Sequence, residues 1–154
     1  MNRIPSLLIV TNRGHLVAYR TTETRSLEKI DTGDFAEGTE KLSDLVTDQS
    51  GAFPMTGGTA TSSYESLPLE AELEMRCFRQ IARQIQRIID RENPGKWGFA
   101  TPSEINGAIL DGIGEPYHKK LGLNLKLDLT NSPAEEVYKR FAAAAEREHE
   151  LPAG

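Results

Sequence analysis

The chain has 154 residues, of which 38% are hydrophobic and 27% charged, and this is the size and composition of one ordinary globular domain. Its formal net charge of −5 provides no global attraction for nucleic acid or anionic membranes. The single cysteine, Cys77, excludes an intrachain disulfide and a cysteine-cluster metal site. We therefore predict a single domain over residues 1–154, in which Cys77 is a packed, unreactive thiol.

The first apolar run, Leu7 to Val10, is far shorter than the core of a signal peptide or the roughly 20 apolar residues of a membrane span. We therefore expect a cytoplasmic protein that has no membrane partner.

Two apolar, β-branched stretches open the chain and predict a β-hairpin. They are "IPSLLIVT" and "HLVAYRTTE", separated by "NRG", in which Asn12 and Gly14 are turn residues. "RSLEKIDT" alternates Leu27 and Ile30 with charged residues and predicts a third antiparallel strand. Residues 33–66 are then rich in Gly, Ser, Thr and acidic side chains, so we expect a flexible or irregular loop region there.

The longest periodic segment, "LEAELEMRCFRQIARQIQRIIDREN", predicts an amphipathic helix. Its apolar face consists of Leu69, Leu73, Cys77, Ile81, Ile85, Ile88 and Ile89. Its polar face carries arginines at steps of three and four residues, which we call the arginine ridge: Arg76, Arg79, Arg83, Arg87 and Arg91. The ridge has two interpretations: contact with RNA phosphates, or a solvated helix face whose charge Glu72 and Asp90 partly offset. The acidic net charge of the chain favours the solvated face.

The second half of the chain alternates strands and helices. "KWGFATPSEINGAIL" predicts a short buried strand from Trp97 to Ala100, then a helix that opens at "TPSE", where Thr101 and Glu104 have capping-box spacing. "LGLNLKLDL" predicts a strand with one buried face over residues 121–129, and "SPAE" at 132–135 opens a C-terminal helix. The order β-β-β-α-β-α-β-α predicts a single-domain α/β fold, a layered mixed sheet flanked by helices.

Three segments carry a resemblance to a known family: "LLIVTNRGHLVAY", "WGFATPSEINGAIL" and "LNLKLDLTNSPAEEVYKRF". They resemble the bacterial host attachment proteins, which are grouped with bacterial relatives of the middle domain of archaeal and eukaryotic peptide-chain release factors. The most specific part is "LDLTNSPAEEVYKRF", a strand, then "DLT", then a proline-capped helix. The resemblance implies a release-factor middle-domain-like fold over nearly the whole chain. The first strand of such proteins tends to end in Asp, and here Asn12 takes that place.

The resemblance also bears on the glycine loop, Gly57 and Gly58 in "MTGGTATSS". In release factors the loop before the long helix carries Gly-Gly-Gln, whose glutamine helps a water reach the peptidyl-tRNA ester. Here Thr59 follows the glycines, so the resemblance implies the loop without its catalytic amide. A phosphate-binding P-loop is excluded because no lysine follows the glycines. We therefore interpret the glycine loop as slack, surface-exposed chain.

The remaining candidates for chemistry are few. His15, His118 and His149 are far apart in sequence and lie in a turn, a short lysine-rich segment and a tail, with no cysteine beside them, so no metal site is predicted. Ser103 lacks the Gly-x-Ser-x-Gly elbow of a serine nucleophile. We predict no catalytic residue, no metal and no cofactor.

Two hypotheses for function remain. The first is a non-catalytic interaction module of host-attachment or release-factor type, which the resemblance associates with translation and whose partner is the ribosome, RNA or a protein. The alternative is a hydrolase that acts on an ester or a nucleic acid, with its site at the strand ends. The module needs only an exposed patch, whereas the enzyme needs polar groups with perturbed pKa values that converge in a cleft. The sequence favours the module and indicates no oligomeric state.

Overall fold

The computed structural model describes residues 4–35 and 59–150, where a mixed five-stranded sheet has helices packed on both faces. The strands are β1 (Leu7–Thr11), β2 (His15–Thr21), β3 (Leu27–Asp34), β4 (Trp97–Ala100) and β5 (Leu121–Leu125). The helices are α1 (Thr59–Glu92), α2 (Ser103–Ile113), α3 (Glu115–Lys119) and α4 (Ala134–Glu150). The predicted α/β class, a layered mixed sheet flanked by helices, is confirmed.

The sheet has the strand order β3-β2-β1-β4-β5. β2 runs antiparallel to both of its neighbours, while β1 pairs parallel with β4 and β4 with β5. The carboxyl ends of β1, β4 and β5 therefore meet at one end of the sheet. Such an end is where α/β proteins commonly place their functional side chains.

Successive residues of β1 point to opposite faces of the sheet and so build two cores. On one face, Leu7 and Ile9 pack with α1 and α2. On the other face, Leu8 and Val10 pack with α4 through residues such as Phe141. Burial on both faces explains why β1 is a continuous apolar run rather than an alternating one.

Gly98 of β4 allows α4 to approach the sheet closely. A Cβ atom at this position would lie 2.7 Å from Leu8 Cδ2 and 2.9 Å from Phe141 Cε1. Any larger residue would have to displace the Phe141 ring. The glycine is thus required by packing.

The ends of the predicted loop region 33–66 are regular structure instead. β3 continues to Asp34 because β2 pairs with it as far as His15, and the N–H of Phe35 still donates to the Gly14 carbonyl at 2.9 Å. α1 begins at Thr59, ahead of the first periodic apolar residue. The predicted flexibility otherwise falls on residues 36–58, outside the described part of the chain.

In the second half, one predicted boundary was wrong and one short helix was missed. β5 ends at Leu125 rather than at residue 129, and the short helix α3 was not predicted. The Leu125 carbonyl accepts the last ladder hydrogen bond, from the N–H of Thr101 at 3.1 Å. Pro102 follows and has no N–H to continue the ladder, so β5 stops although its apolar alternation runs on.

The predicted capping box at the start of α2 does not form. α2 begins at Ser103, its N-cap residue is Pro102, and no side chain caps it. Thr101, one residue past the end of β4, is held by the hydrogen bond that its N–H donates to the Leu125 carbonyl, and its buried hydroxyl has no hydrogen-bond partner among the described residues. Strand pairing therefore decided the conformation of Thr101.

Candidate functional site

The arginine ridge lies on the exposed side of α1. On the opposite side, Leu73, Cys77, Ile81, Ile85, Ile88 and Ile89 are buried. This packing fixes the rotation of the helix about its axis. All five arginines of the ridge are exposed to solvent. Helical spacing thus aligns five positive charges along one side of a firmly held helix.

Ion pairs hold the two ends of the ridge. Arg76 Nη2 lies 3.3 Å from Glu72 Oε2, one turn earlier. Arg91 Nη1 lies 3.2 Å from Asp31 Oδ2 on β3, and Arg91 Nε lies 3.1 Å from Glu92 Oε2. The hydrogen bond to Glu92 raises the pKa of Arg91 above its ordinary value. Arg91 therefore serves to join α1 to β3.

Arg20 of β2 completes this network at the end of α1. Its Nη2 lies 2.6 Å from Glu92 Oε1. That hydrogen bond raises the pKa of Arg20 and lowers the pKa of Glu92, although desolvation acts the other way on both groups. The end of α1 is thus anchored to the β2–β3 hairpin by alternating charges.

The middle of the ridge is open. Within the described residues, Arg79, Arg83 and Arg87 form no ion pair. Asp90, which was expected to offset part of the charge, accepts hydrogen bonds from the Tyr117 hydroxyl at 3.0 Å to each carboxylate oxygen. Among the described residues, the guanidinium groups of Arg79, Arg83 and Arg87 are thus exposed to solvent and lack a direct ion pair.

A second polar cluster lies at the carboxyl end of β1. We call Asn12, Asp128 and Thr130 the β1-end cluster. Asn12 Nδ2 donates to Asp128 Oδ2 and to Thr130 Oγ1, each at 3.0 Å. Thr130 donates to Asp128 Oδ1 through its hydroxyl at 2.6 Å and its N–H at 2.9 Å. The cluster joins segments that lie 116 residues apart in sequence.

The amide of Asn12 also shapes the turn between β1 and β2. Its Oδ1 accepts from the N–H groups of Gly14 and His15, each at 2.8 Å. An aspartate at position 12 could accept these two bonds but could not donate to Asp128. It would instead place two carboxylates together, which is unfavourable. Asparagine therefore suits this position, because its Nδ2 donates to the cluster and its Oδ1 accepts from the turn.

Asp128 is ionised at neutral pH. Desolvation raises its pKa, but hydrogen bonds from Thr130 and Asn12 outweigh this effect and lower the pKa below its ordinary value. A carboxylate with a lowered pKa is a weak base and a poor general acid near pH 7. Both of its oxygens already accept hydrogen bonds within the cluster. The arrangement orders the strand ends and offers little for acid–base chemistry.

The turn between β1 and β2 also contacts α1. Arg13 Nε and Nη2 each lie 2.8 Å from Glu74 Oε2. The thiol of Cys77 donates to the Arg13 carbonyl at 3.1 Å and is fully buried, so the predicted packed thiol is confirmed. The carboxylate that α1 brings towards the strand ends is therefore engaged by an arginine.

The other residues named from the sequence do not assemble into a site. Gly57, Gly58 and the side chain of His149 lie outside what the structure describes. His15 Nδ1 lies 2.7 Å from Asp34 Oδ1, while His118 is in α3. Over residues 4–35 and 59–150, no group of three or more His, Cys, Asp or Glu could hold a metal ion. In the same ranges, no helix is long and apolar enough to cross a membrane.

Sequence reasoning missed the β1-end cluster as a unit. Asn12 was recognised as a departure from Asp, and "DLT" was recognised as a specific motif. Their contact depends on β4 lying between β1 and β5, which places Asp128 near the end of β1. The sequence therefore contained both motifs, but their proximity follows only from the order of the strands in the sheet.

Comparison with protein families gives a match over most of the chain. A family model described as "Protein required for attachment to host cells" matches residues 7–141, from the first residue of β1 into α4. The chain belongs to this family. The family description suggests an attachment-type role that is not enzymatic. No curated protein matches the chain in a sequence search. The relationship to release factors stays a prediction.

Proposed function

We propose that this chain is a cytoplasmic, non-catalytic binding module that acts in translation and contacts structured RNA through the arginine ridge. The supporting observation is the open middle of the ridge, where Arg79, Arg83 and Arg87 are exposed and form no ion pair within the described residues. Phosphates are favoured partners of guanidinium groups because of charge and donor geometry. The association with translation comes from the resemblance to the release-factor middle domain.

The packing of α1 supports this role. Consecutive charges at Arg79, Arg83 and Arg87 are each separated by about 6 Å along the helix axis. The buried side of α1 prevents the helix from turning, so the three groups are held in a row before a partner arrives. A fixed row of charges loses less conformational freedom on binding than charges on a mobile loop.

The β1-end cluster supports a non-catalytic module. A hydrolase at the strand ends would need a base of suitable pKa beside an activated nucleophile. Asp128 is a weak base whose oxygens accept bonds from Asn12 and Thr130. We expect no release of peptide from peptidyl-tRNA above buffer in a ribosomal release assay. Release that is abolished by Gly58→Ala would contradict the proposal.

The binding test is a filter-binding titration of structured RNA at several salt concentrations. In a plot of the logarithm of the association constant against the logarithm of the salt concentration, each phosphate contact should add about −0.7 to −0.9 to the wild-type slope. Replacement of Arg79, Arg83 and Arg87 by glutamine should flatten that slope by roughly 2 to 3 and weaken binding. Sedimentation with ribosomes should decrease in the same variant.

The matched control replaces Lys126, Arg140 and Arg147 by glutamine, because these three exposed cations lie away from α1. Both variants change the net charge equally, so a general electrostatic effect would weaken them equally. A ridge variant that binds RNA with the wild-type slope would show that the ridge is only a solvated face.

A further inference from the structure

An open groove runs beside β5, the strand at one edge of the sheet. Its volume is about 480 Å³, and it lies between the end of β5 and the exposed side of α4. We call it the basic groove, lined by Lys126, Leu127, Arg140, Ala143, Ala144 and Arg147. Neither the family description nor the proposed function involves this surface.

The groove has a small apolar floor between positive charges. Arg140, Ala143, Ala144 and Arg147 lie at helical spacing on one stripe of α4, and the two alanines leave the trough open between the arginines. Lys126 is exposed on the strand side. The chain as a whole carries a net charge of −5, so a cluster of three cations is a local feature of opposite sign.

The charges of the groove are available to a partner. Within the described residues, Lys126 and Arg147 form no ion pair. Arg140 Nε lies 2.9 Å from Glu136 Oε2, and both side chains are about half exposed, at 55% and 42%. Solvated pairs of this kind are weak and can exchange for a bound carboxylate.

The backbone of β5 adds a second binding element. The Leu125 carbonyl points towards β4, where it accepts from the N–H of Thr101. In a parallel strand the N–H and C=O of one residue point to the same side, and they alternate along the strand. The backbone groups of Asn124 therefore point away from the sheet, at an edge where the described sheet has no further strand.

We propose that the basic groove binds an extended acidic segment of another protein, which adds to the sheet as a strand beside β5. Strand addition satisfies the outward backbone groups, and side-chain contacts set the specificity. Arg140 and Arg147 are roughly 10 Å apart along α4, which is too far for one compact anion. An extended chain covers that distance in about three to four residues, and its alternate residues carry carboxylates along one side about 7 Å apart.

A peptide fits this surface better than single-stranded nucleic acid does. Proteins that bind single strands commonly stack bases on aromatic side chains. Among the residues that the structure describes, the groove is lined by leucine, alanine, asparagine and cationic residues, and none of these side chains is aromatic. Its apolar floor and open backbone edge match a polypeptide.

The test is fluorescence anisotropy at low salt with a labelled peptide of alternating glutamate and threonine. Wild type should bind it, and the variant with Lys126, Arg140 and Arg147 replaced by glutamine should bind roughly tenfold more weakly. The ridge variant, with Arg79, Arg83 and Arg87 replaced, is the matched control and should bind like wild type. A peptide of alternating lysine and threonine should not bind.

Backbone pairing is tested with two N-methylated peptides, each blocked at alternate residues. One of them should lose binding, because its blocked N–H groups face β5, and the other should retain it. Equal binding of both would overturn strand addition. Equal binding of the acidic peptide by wild type and groove variant would overturn the proposal, as would groove-dependent binding of oligouridylate without peptide binding. The proposed function is tested separately by RNA binding, which should be lost in the ridge variant and retained in the groove variant.

Discussion

The β1-end cluster and the basic groove are both rich in polar groups, but these groups have different partners. In the cluster, Asn12, Asp128 and Thr130 bond to one another. In the groove, Lys126 and Arg147 form no ion pair with the described residues, and no described strand pairs with the outer edge of β5. Polar groups that hydrogen-bond to one another stabilise the fold. Polar groups that hydrogen-bond to water can exchange that water for a binding partner. The two regions should therefore respond differently to substitution.

The largest effect should come from the buried side of α4, behind the groove. Phe141 is fully buried against β4. Phe141→Ala should lower the free energy of unfolding by about 3 to 5 kcal/mol, because it removes apolar contacts and leaves a cavity. Urea denaturation measures this change. Arg140→Gln, at the neighbouring exposed position, is the control and should differ little from wild type. A loss below about 1 kcal/mol for Phe141→Ala would contradict the packing described.

The β1-end cluster should give the next effect. Asn12→Ala removes two donated and two accepted hydrogen bonds at the turn after β1. We expect a loss of about 1 to 3 kcal/mol, since Asp128 and the turn N–H groups lose partners. Asn131 is the matched control, because it is exposed and its side chain makes no hydrogen bond within the described residues. Equal denaturation midpoints for Asn12→Ala and Asn131→Ala would show that the cluster does not stabilise the fold.

A pH series distinguishes what the charge of Asp128 contributes to stability from what the shape of its side chain contributes. The folded-state pKa of Asp128 is lowered, so its contribution to stability is present above the ordinary carboxyl pKa of about 3.9 and is lost as pH falls through the folded pKa. Asp128→Asn keeps the shape without the charge. Near pH 7 it should be less stable than wild type by about 1 kcal/mol or less, because Asp128 is solvent-exposed.

Below the ordinary carboxyl range this difference should shrink. Urea midpoints of wild type and Asp128→Asn at a series of pH values would show it. A difference that stays constant down to acid pH would mean that the carboxylate charge contributes nothing.

The smallest effect should come from the groove cations. Replacing Lys126, Arg140 and Arg147 by glutamine should change the free energy of unfolding by about 0 to 1 kcal/mol, since exposed ion pairs are weak. The midpoints of thermal unfolding of this variant and of Asn12→Ala compare the two regions directly. A groove variant as destabilised as Asn12→Ala would show that the groove serves the fold.

The amino-acid sequence alone predicted the α/β class, the hairpin, the strand at Trp97 and the amphipathic character of α1. These are local properties, since apolar periodicity and turn residues act within a few positions of each other. The buried seam of α1 could therefore be named from spacing alone. The ridge on its opposite side follows from the same period of 3.6 residues.

Tertiary structure decided what depends on neighbours distant in sequence. The sequence predicts that Thr101 caps α2, but its N–H donates to the Leu125 carbonyl and holds it against the end of β5. β5 stops at Leu125 because Pro102 has no N–H to continue the pairing. Asn12 meets Asp128 because the sheet order brings their strand ends together. In each case a hydrogen bond or a packed face from another segment outweighed the local preference, because local propensities are worth only fractions of a kcal/mol to about 1 kcal/mol.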